Sequence, residues 1–215
     1  LVANSSVLTG TVSTEDAAPL VGRLVLFVDA DWAGDKQTRK STSAYAIYFV
    51  GPSGTFILLD WATRRQSAVS LSSGEAEVSA LQTGLRELVN IAGVFRAAGL
   101  KPAVSVLCDS NVAISVAATG ISSKMRYSSQ TQGLSAQWIK ETLALLRTRA
   151  NKVDSEANVA DIGTKPVSPE DFSKYSNFMG FTAPTNATAI CSGVHASAFG
   201  AAWRCHVPVA RAGQK

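Results

Sequence analysis

The chain is poor in the residues that would tie it to several function classes. Only three cysteines occur in 215 residues, Cys108, Cys191 and Cys205, an odd number with no C-x-x-C pair. That excludes a disulfide framework and points to a reducing, intracellular setting, cytoplasmic or nuclear. Cys191, His195, Cys205 and His206 follow a C-x3-H-x9-C-H spacing that matches no zinc knuckle, so no zinc is expected. Long apolar runs are also missing. The most apolar stretch near the C-terminus is broken by His195, Arg204 and His206, well short of the roughly 20 residues a membrane span needs, so no membrane is expected. The opening Leu1-Val2-Ala3-Asn4 has no initiator Met and no basic or apolar leader, which suggests a piece of a longer polypeptide.

What is present describes a globular domain. Hydrophobic residues make up 46% and charged residues 17%, enough to bury a core. Twenty Lys and Arg against 16 Asp and Glu leave a net charge of +4, and the pI near 9.1 suits a polyanionic partner without requiring one. Residues 1–20 lack sustained periodicity and read as a linker or tether, residues 21–181 as one domain, and residues 182–215, rich in Ala, Thr and Gly, as a poorly ordered tail.

Within the domain, Leu24 to Val28 is a continuous apolar run ending in Asp29, the pattern of a strand buried on both faces. Ser43 to Val50 follows as a second strand, and after the turn Gly51-Pro52-Ser53-Gly54, Thr55 to Trp61 returns as its antiparallel neighbour. Val78, Leu81, Leu85, Leu88, Ala92 and Phe95 carry the spacing of an amphipathic helix, capped by Ser72 or Ser73 and stopped by Gly99. A strand over Ala103 to Cys108 ends in Asp109, and Asn111 to Ala118 is a helix closed by Gly120. A longer helix is expected from Gln132 to Leu146, a strand from Arg147 to Val153, and a short helix from Asn158 through Asp161. Trp32 and Trp61 read as core or edge packing rather than base-stacking platforms.

Four acids stand where folded chains seldom put them. Asp29 and Asp109 end apolar strands, Glu77 lies on the core-facing stripe of a helix, and Asp161 follows Val159-Ala160. A strand that ends in Asp delivers its carboxylate to the carboxyl edge of a sheet, and parallel neighbours would bring two together. With roughly 100° per residue, Glu77 falls within about 40° of Leu81, whereas Glu75 lies about 200° from Glu77 and should face solvent. Clustered carboxylates repel unless divalent cations share them, and two such cations on hard oxygen ligands are the apparatus of phosphoryl displacement. On spacing alone, turn, cap and ion-pair roles for the same acids stay open.

The run Asp29-Ala30-Asp31-Trp32-Ala33-Gly34-Asp35, continued by Thr38-Arg39-Lys40-Ser41-Thr42-Ser43, resembles the opening of ribonuclease H domains in copia-type retrotransposon polyproteins. Three further stretches occur in the same order: Leu71-Ser72-Ser73-Gly74-Glu75-Ala76-Glu77, then Leu107-Cys108-Asp109-Ser110-Asn111, then Asn158-Val159-Ala160-Asp161 with Thr164-Lys165-Pro166. The resemblance implies an α/β, ribonuclease H-like fold, a five-stranded mixed sheet (an antiparallel meander of three strands plus parallel strands) flanked by helices. It implies a catalytic, metal-binding set of Asp29, Glu77, Asp109 and Asp161, two Mg²⁺ or Mn²⁺ ions, and hydrolysis of the RNA strand of RNA–DNA hybrids. The implied setting is a polyprotein whose reverse transcriptase domain is a partner, in a cytoplasmic virus-like particle or in the nucleus.

Substrate contact is expected from Ser73 and Gly74 at the start of the long helix and from Ser110 and Asn111 after the third acid, although both serines also suit caps. Arg39, Lys40, Arg64 and Arg65 offer phosphate neutralisation. Two departures from the family stand out: Lys152 to Ala157 lacks the His that cellular ribonucleases H carry before the last Asp, and Tyr127 stands where a His is usual. The competing reading is a domesticated or inactive domain that serves as a nucleic-acid-binding or structural subunit.

Overall fold

A computed structural model of the chain describes residues 22–122, 125, 127–165 and 168–170, together with the backbone of 7–8 and 181–182. The expected tail, apart from Thr182, and most of the expected tether lie outside the described residues. Val7–Leu8, within that tether segment, pairs antiparallel with Phe181–Thr182.

Strands β1 (Arg23–Asp31), β2 (Thr42–Val50) and β3 (Phe56–Arg65) form the meander, and helix α1 (Ser73–Ala97) leads to β4 (Ala103–Cys108). Helices α2 (Asn111–Thr119), α3 (Ser128–Gln132) and α4 (Ala136–Leu145) precede β5 (Ala150–Lys152), and two 3₁₀ turns follow, Ser155–Ala157 and Val159–Gly163. The sheet order is β3-β2-β1-β4-β5, with β1–β2 and β2–β3 antiparallel and β1–β4 and β4–β5 parallel. This is the five-stranded mixed α/β arrangement expected of a ribonuclease H-like fold.

Alternation along β1 explains its central place. Leu24, Leu26 and Val28 pack on Val78, Leu81, Leu85 and Leu88 of α1, while Val25 and Phe27 pack with Tyr48, Val159 and Ala160 on the opposite face. Each fully buried aliphatic side chain contributes roughly 1.5–3 kcal/mol. Gly84 lets α1 approach this closely, since a Cβ there would lie 2.8 Å from Val28 Cγ1. The helix begins at Ser72, whose Oγ accepts from Glu75 N at 3.2 Å, so Ser72 is the cap and Ser73 the first helical residue.

Three expectations need correction. The helix expected over Gln132 to Leu146 is two: Gln132 ends α3, Gly133 takes a left-handed φ of +63°, and Ser135 caps α4 by accepting from Trp138 N at 3.1 Å. The last strand covers only Ala150–Lys152, because the preceding residues finish α4, with Arg147 at φ +53° and Thr148 N donating to Leu143 O. The third strand runs on to Arg65. Of the core or edge packing expected for Trp32 and Trp61, the structure leaves the edge: Trp61 (49% exposed) lies on the edge strand β3, and Trp32 (46% exposed) donates its indole N–H to Ser70 O at 3.0 Å.

Candidate active site

Parallel pairing matches Val28 with Cys108, so the next residue on each strand is an acid, and Asp29 and Asp109 emerge side by side at the carboxyl end of the sheet. Asp161 arrives from the other end of the chain. Its 3₁₀ turn is pinned by Asn158, fully buried, whose Nδ2 donates to Val28 O at 3.0 Å while its Oδ1 accepts from Ala160 N at 3.3 Å. Carboxylate oxygens of Asp29, Asp109 and Asp161 lie within 4.8 Å of one another, and Glu77, Cys108 and Asp109 meet within the same distance. The four acids singled out by their positions therefore form one cluster, with Asp109 common to both groups.

Their environments differ. Asp29 is 1% exposed, and its carboxyl is raised from 3.8 to about 6, chiefly by burial and then by the charges of Asp161 and Asp109, against the hydrogen bond from Thr164 and the charge of Lys165. Glu77 is pushed from 4.5 to about 8, again mainly by burial, then by Asp29 and Asp109, with Lys165 and the Ala30 N–H opposing. Ser155 Oγ donates to Asp109 Oδ2 at 2.9 Å, and Lys152 Nζ donates to the Asp109 carbonyl. Glu77 Oε2 and Asp109 Oδ1 are buried without a hydrogen-bond partner.

Buried carboxylate oxygens without donors are what a hard divalent cation satisfies, so the donor set fits Mg²⁺ or Mn²⁺. Cys108 does not fit as a ligand for such an ion: burial lifts its thiol to about 12, and its Sγ accepts from Ser110 N at 3.3 Å. Lys165 supplies a positive charge at this cluster, with Nζ 2.9 Å from Asp161 Oδ1 and 3.9 Å from Asp29 Oδ2. Burial opposes its charge, but the Asp161 hydrogen bond and the charges of Asp29, Asp161 and Asp109 outweigh that and hold its ammonium above the ordinary lysine value.

Lys165, Thr164, Ser155, Lys152 and Asn158 were not among the expected site residues. The i, i+4 spacing of Asp161 and Lys165 was the available signal for one of them. Glu75 corrects an expectation directly: it is 4% exposed rather than solvent-facing. Its Oε2 accepts from Leu71 N at 2.6 Å, and its Oε1 accepts from Gln132 Nε2 at 2.9 Å and from Ser128 Oγ. The helical wheel located the sheet side correctly, but α3 covers the side that would otherwise meet water.

The expected substrate contacts differ in exposure and in partners. Ser73 and Asn111 are exposed, and Ser110 caps α2 by accepting from Ala113 N at 3.3 Å. Gly74 is buried, where a Cβ would lie 2.6 Å from Val112 Cγ1, so close packing of α1 on α2 accounts for the glycine. Register aligns Arg65 with Thr42 and Thr42 with Asp31, which brings the end of β3 to the carboxyl end of β1. Arg64 pairs with Glu87 at 3.8 Å and Arg65 with Asp35 at 2.7 Å, so part of their charge is already neutralised. Arg39 and Lys40 lie in the β1–β2 loop, which leaves from the same end, with Arg39 exposed at φ +59°.

No protein-family model matches the chain. Over 158 residues it is 30% identical to a retrovirus-related Pol polyprotein from the transposon TNT 1-94 of Nicotiana tabacum, an alignment covering 72% of this chain. Retrovirus-related Pol polyproteins of plant transposons are therefore homologues of this chain. The chain spans about a tenth of the Nicotiana tabacum relative, 11% of its length. This Pol-related chain is also 37% identical over 81 residues to secreted RxLR effector protein 161 of Plasmopara viticola, covering 38% of this chain and 54% of the effector. Among solved structures, RNase H1 of Halobacterium salinarum NRC-1 superposes with a TM-score of 0.43 at 13% identity, covering 66% of this chain and 95% of that one.

Proposed function

We propose that this domain is the ribonuclease H of a copia-type polyprotein and that it hydrolyses the RNA strand of RNA–DNA hybrids using two Mg²⁺ or Mn²⁺ ions. The observation that carries this reading is the clustering of four carboxylates around Asp109, with Glu77 Oε2 and Asp109 Oδ1 buried and without hydrogen-bond partners. Asp29, Glu77, Asp109 and Asp161 would hold the ions. Bound there, divalent cations supply activation of the attacking water and stabilisation of the leaving oxygen.

The chain's own residues do the rest. Asn158 and Thr164 hold the last acid's turn against β1, and Ser155 orients Asp109. Lys165 balances the negative charge of Asp29 and Asp161. Ser73, Ser110 and Asn111 offer small polar contacts to the hybrid backbone, and Arg39, Lys40, Arg64 and Arg65 offer its phosphates positive charge. A reverse transcriptase domain of the same polyprotein would present the hybrid, within a cytoplasmic particle or the nucleus.

Asp109→Asn tests the reading. The substitution keeps size and removes one ligand charge, so cleavage of a labelled RNA–DNA hybrid in Mg²⁺ or Mn²⁺ should fall by at least about 10³-fold while hybrid binding survives. Mg²⁺ should raise the melting temperature of the wild type and not of the variant, because a ligand stabilises only the state that binds it. A wild type that neither cleaves hybrid nor gains stability from either metal, even when joined to a polymerase partner, overturns the assignment in favour of a non-catalytic domain.

A further inference from the structure

Helices α2 and α4 and strand β5 enclose an open groove of about 530 Å³ outside the set of four carboxylates. Its floor is apolar: Ala117 and Leu143 are buried, Ile114 is half-buried, and Ala118 and Ala144 are exposed. Its rim is basic, carrying Lys140, Arg149 and Lys152 and, among the described residues, no acidic residue. Among the described residues none of these three cations forms an ion pair; Lys140 Nζ donates to Thr119 O at 3.3 Å and Arg149 Nε to Asn151 Oδ1 at 3.2 Å, both neutral oxygens. One wall is the end of the sheet: β5 pairs with β4 alone, so its outer edge meets no strand among the described residues.

We infer that this groove docks an extended acidic peptide segment of a partner protein, which adds as a strand along β5. Such a segment answers all three features at once. Its backbone pairs with the open edge, alternate apolar side chains cover Ile114, Leu143 and Ala144, and its carboxylates meet Lys140 and Arg149. A nucleic-acid strand matches the basic rim but brings neither a peptide backbone for the edge nor apolar side chains for the floor. A second copy of the chain joined groove to groove would set like charges against each other. The groove uses none of the four acids, although Asn111 and Lys152, which line it, also border the candidate site.

The test uses the full chain in EDTA with three fluorescent probes: a ten-residue peptide alternating Val and Glu, its Val–Lys counterpart, and a short RNA–DNA hybrid. Saturable anisotropy is expected for the acidic peptide, with amide NMR shifts concentrated at Ala150, Asn151 and Lys152. The double variant Lys140→Glu with Arg149→Glu should weaken that binding by at least about tenfold. Ala144→Trp, at an exposed helix position, fills the floor without changing charge and should also abolish it, which keeps the test decisive if the charge-reversed chain folds poorly. Absence of saturable binding to the acidic peptide overturns the inference, as does equal binding of the Val–Lys peptide. Shifts at these amides produced by the hybrid and not by the peptide also overturn it and make the groove a nucleic-acid path.

Discussion

Replacing Glu77 with Gln should make the metal-free protein more stable at alkaline pH, the reverse of what removing a hydrogen-bonded carboxylate usually does. The folded state holds the Glu77 proton up to about pH 8, whereas the unfolded chain releases it near 4.5. Below pH 4.5 both states are protonated and the residue costs nothing; stability is then lost progressively as pH rises from 4.5 toward 8, where the loss is complete. At about 1.4 kcal/mol per tenfold, the full rise corresponds to roughly 5 kcal/mol. Asp29 behaves in the same direction, but its loss runs from pH 3.8 to about 6, so the interval from 6 to 8 belongs to Glu77. Over that interval the wild type should lose about 3 kcal/mol relative to Glu77→Gln, or roughly 6–12 °C in melting temperature for a domain of this size. Thermal melts of both proteins in EDTA at half-unit steps from pH 5 to 9 measure this directly. Curves that stay parallel across pH 6–8 would refute the reasoning, because they would mean that Glu77 ionises without penalty in the folded state.

Glu75→Ala should cost about 2–4 kcal/mol in denaturant unfolding, since it strips an acceptor from Leu71 N, Ser128 and Gln132, and amide exchange over residues 127–133 should accelerate as α3 loosens. Asn158→Ala should destabilise the domain by about 1–3 kcal/mol by leaving Val28 O and Ala160 N unpaired. Because Asn158 pins the turn carrying Asp161, the same variant should weaken Mg²⁺ binding in calorimetry by roughly 10-fold or more; unchanged affinity would show that the turn holds its place without it.

The parts of this protein legible in its sequence are those set by local physics. Alternation of apolar residues along β1, the 3.6-residue stripe of α1 and the αL glycine after α2 act within a few residues, so strands, helices and their ends follow from them. The positions of Asp29, Glu77, Asp109 and Asp161 stood out for the same reason, as acids interrupting apolar patterns. The break between α3 and α4 was equally local, written in Gly133 and Ser135, but an apolar period running through it masked the stop.

What only the tertiary structure decided depends on pairings between distant residues. That Asp29 and Asp109 adjoin rests on the parallel register of β1 and β4, and that Asp161 joins them rests on a hydrogen bond from Asn158 to Val28 across 130 residues of chain. Glu75 became buried because α3 folds over it, and Lys165 entered the cluster with the turn that carries Asp161. The surface exposure of Trp32 and Trp61 was decided in the same way. Periodicity records which side of an element avoids water, but which element covers that side, and which charges it brings along, is settled by sheet register and loop closure over the whole domain.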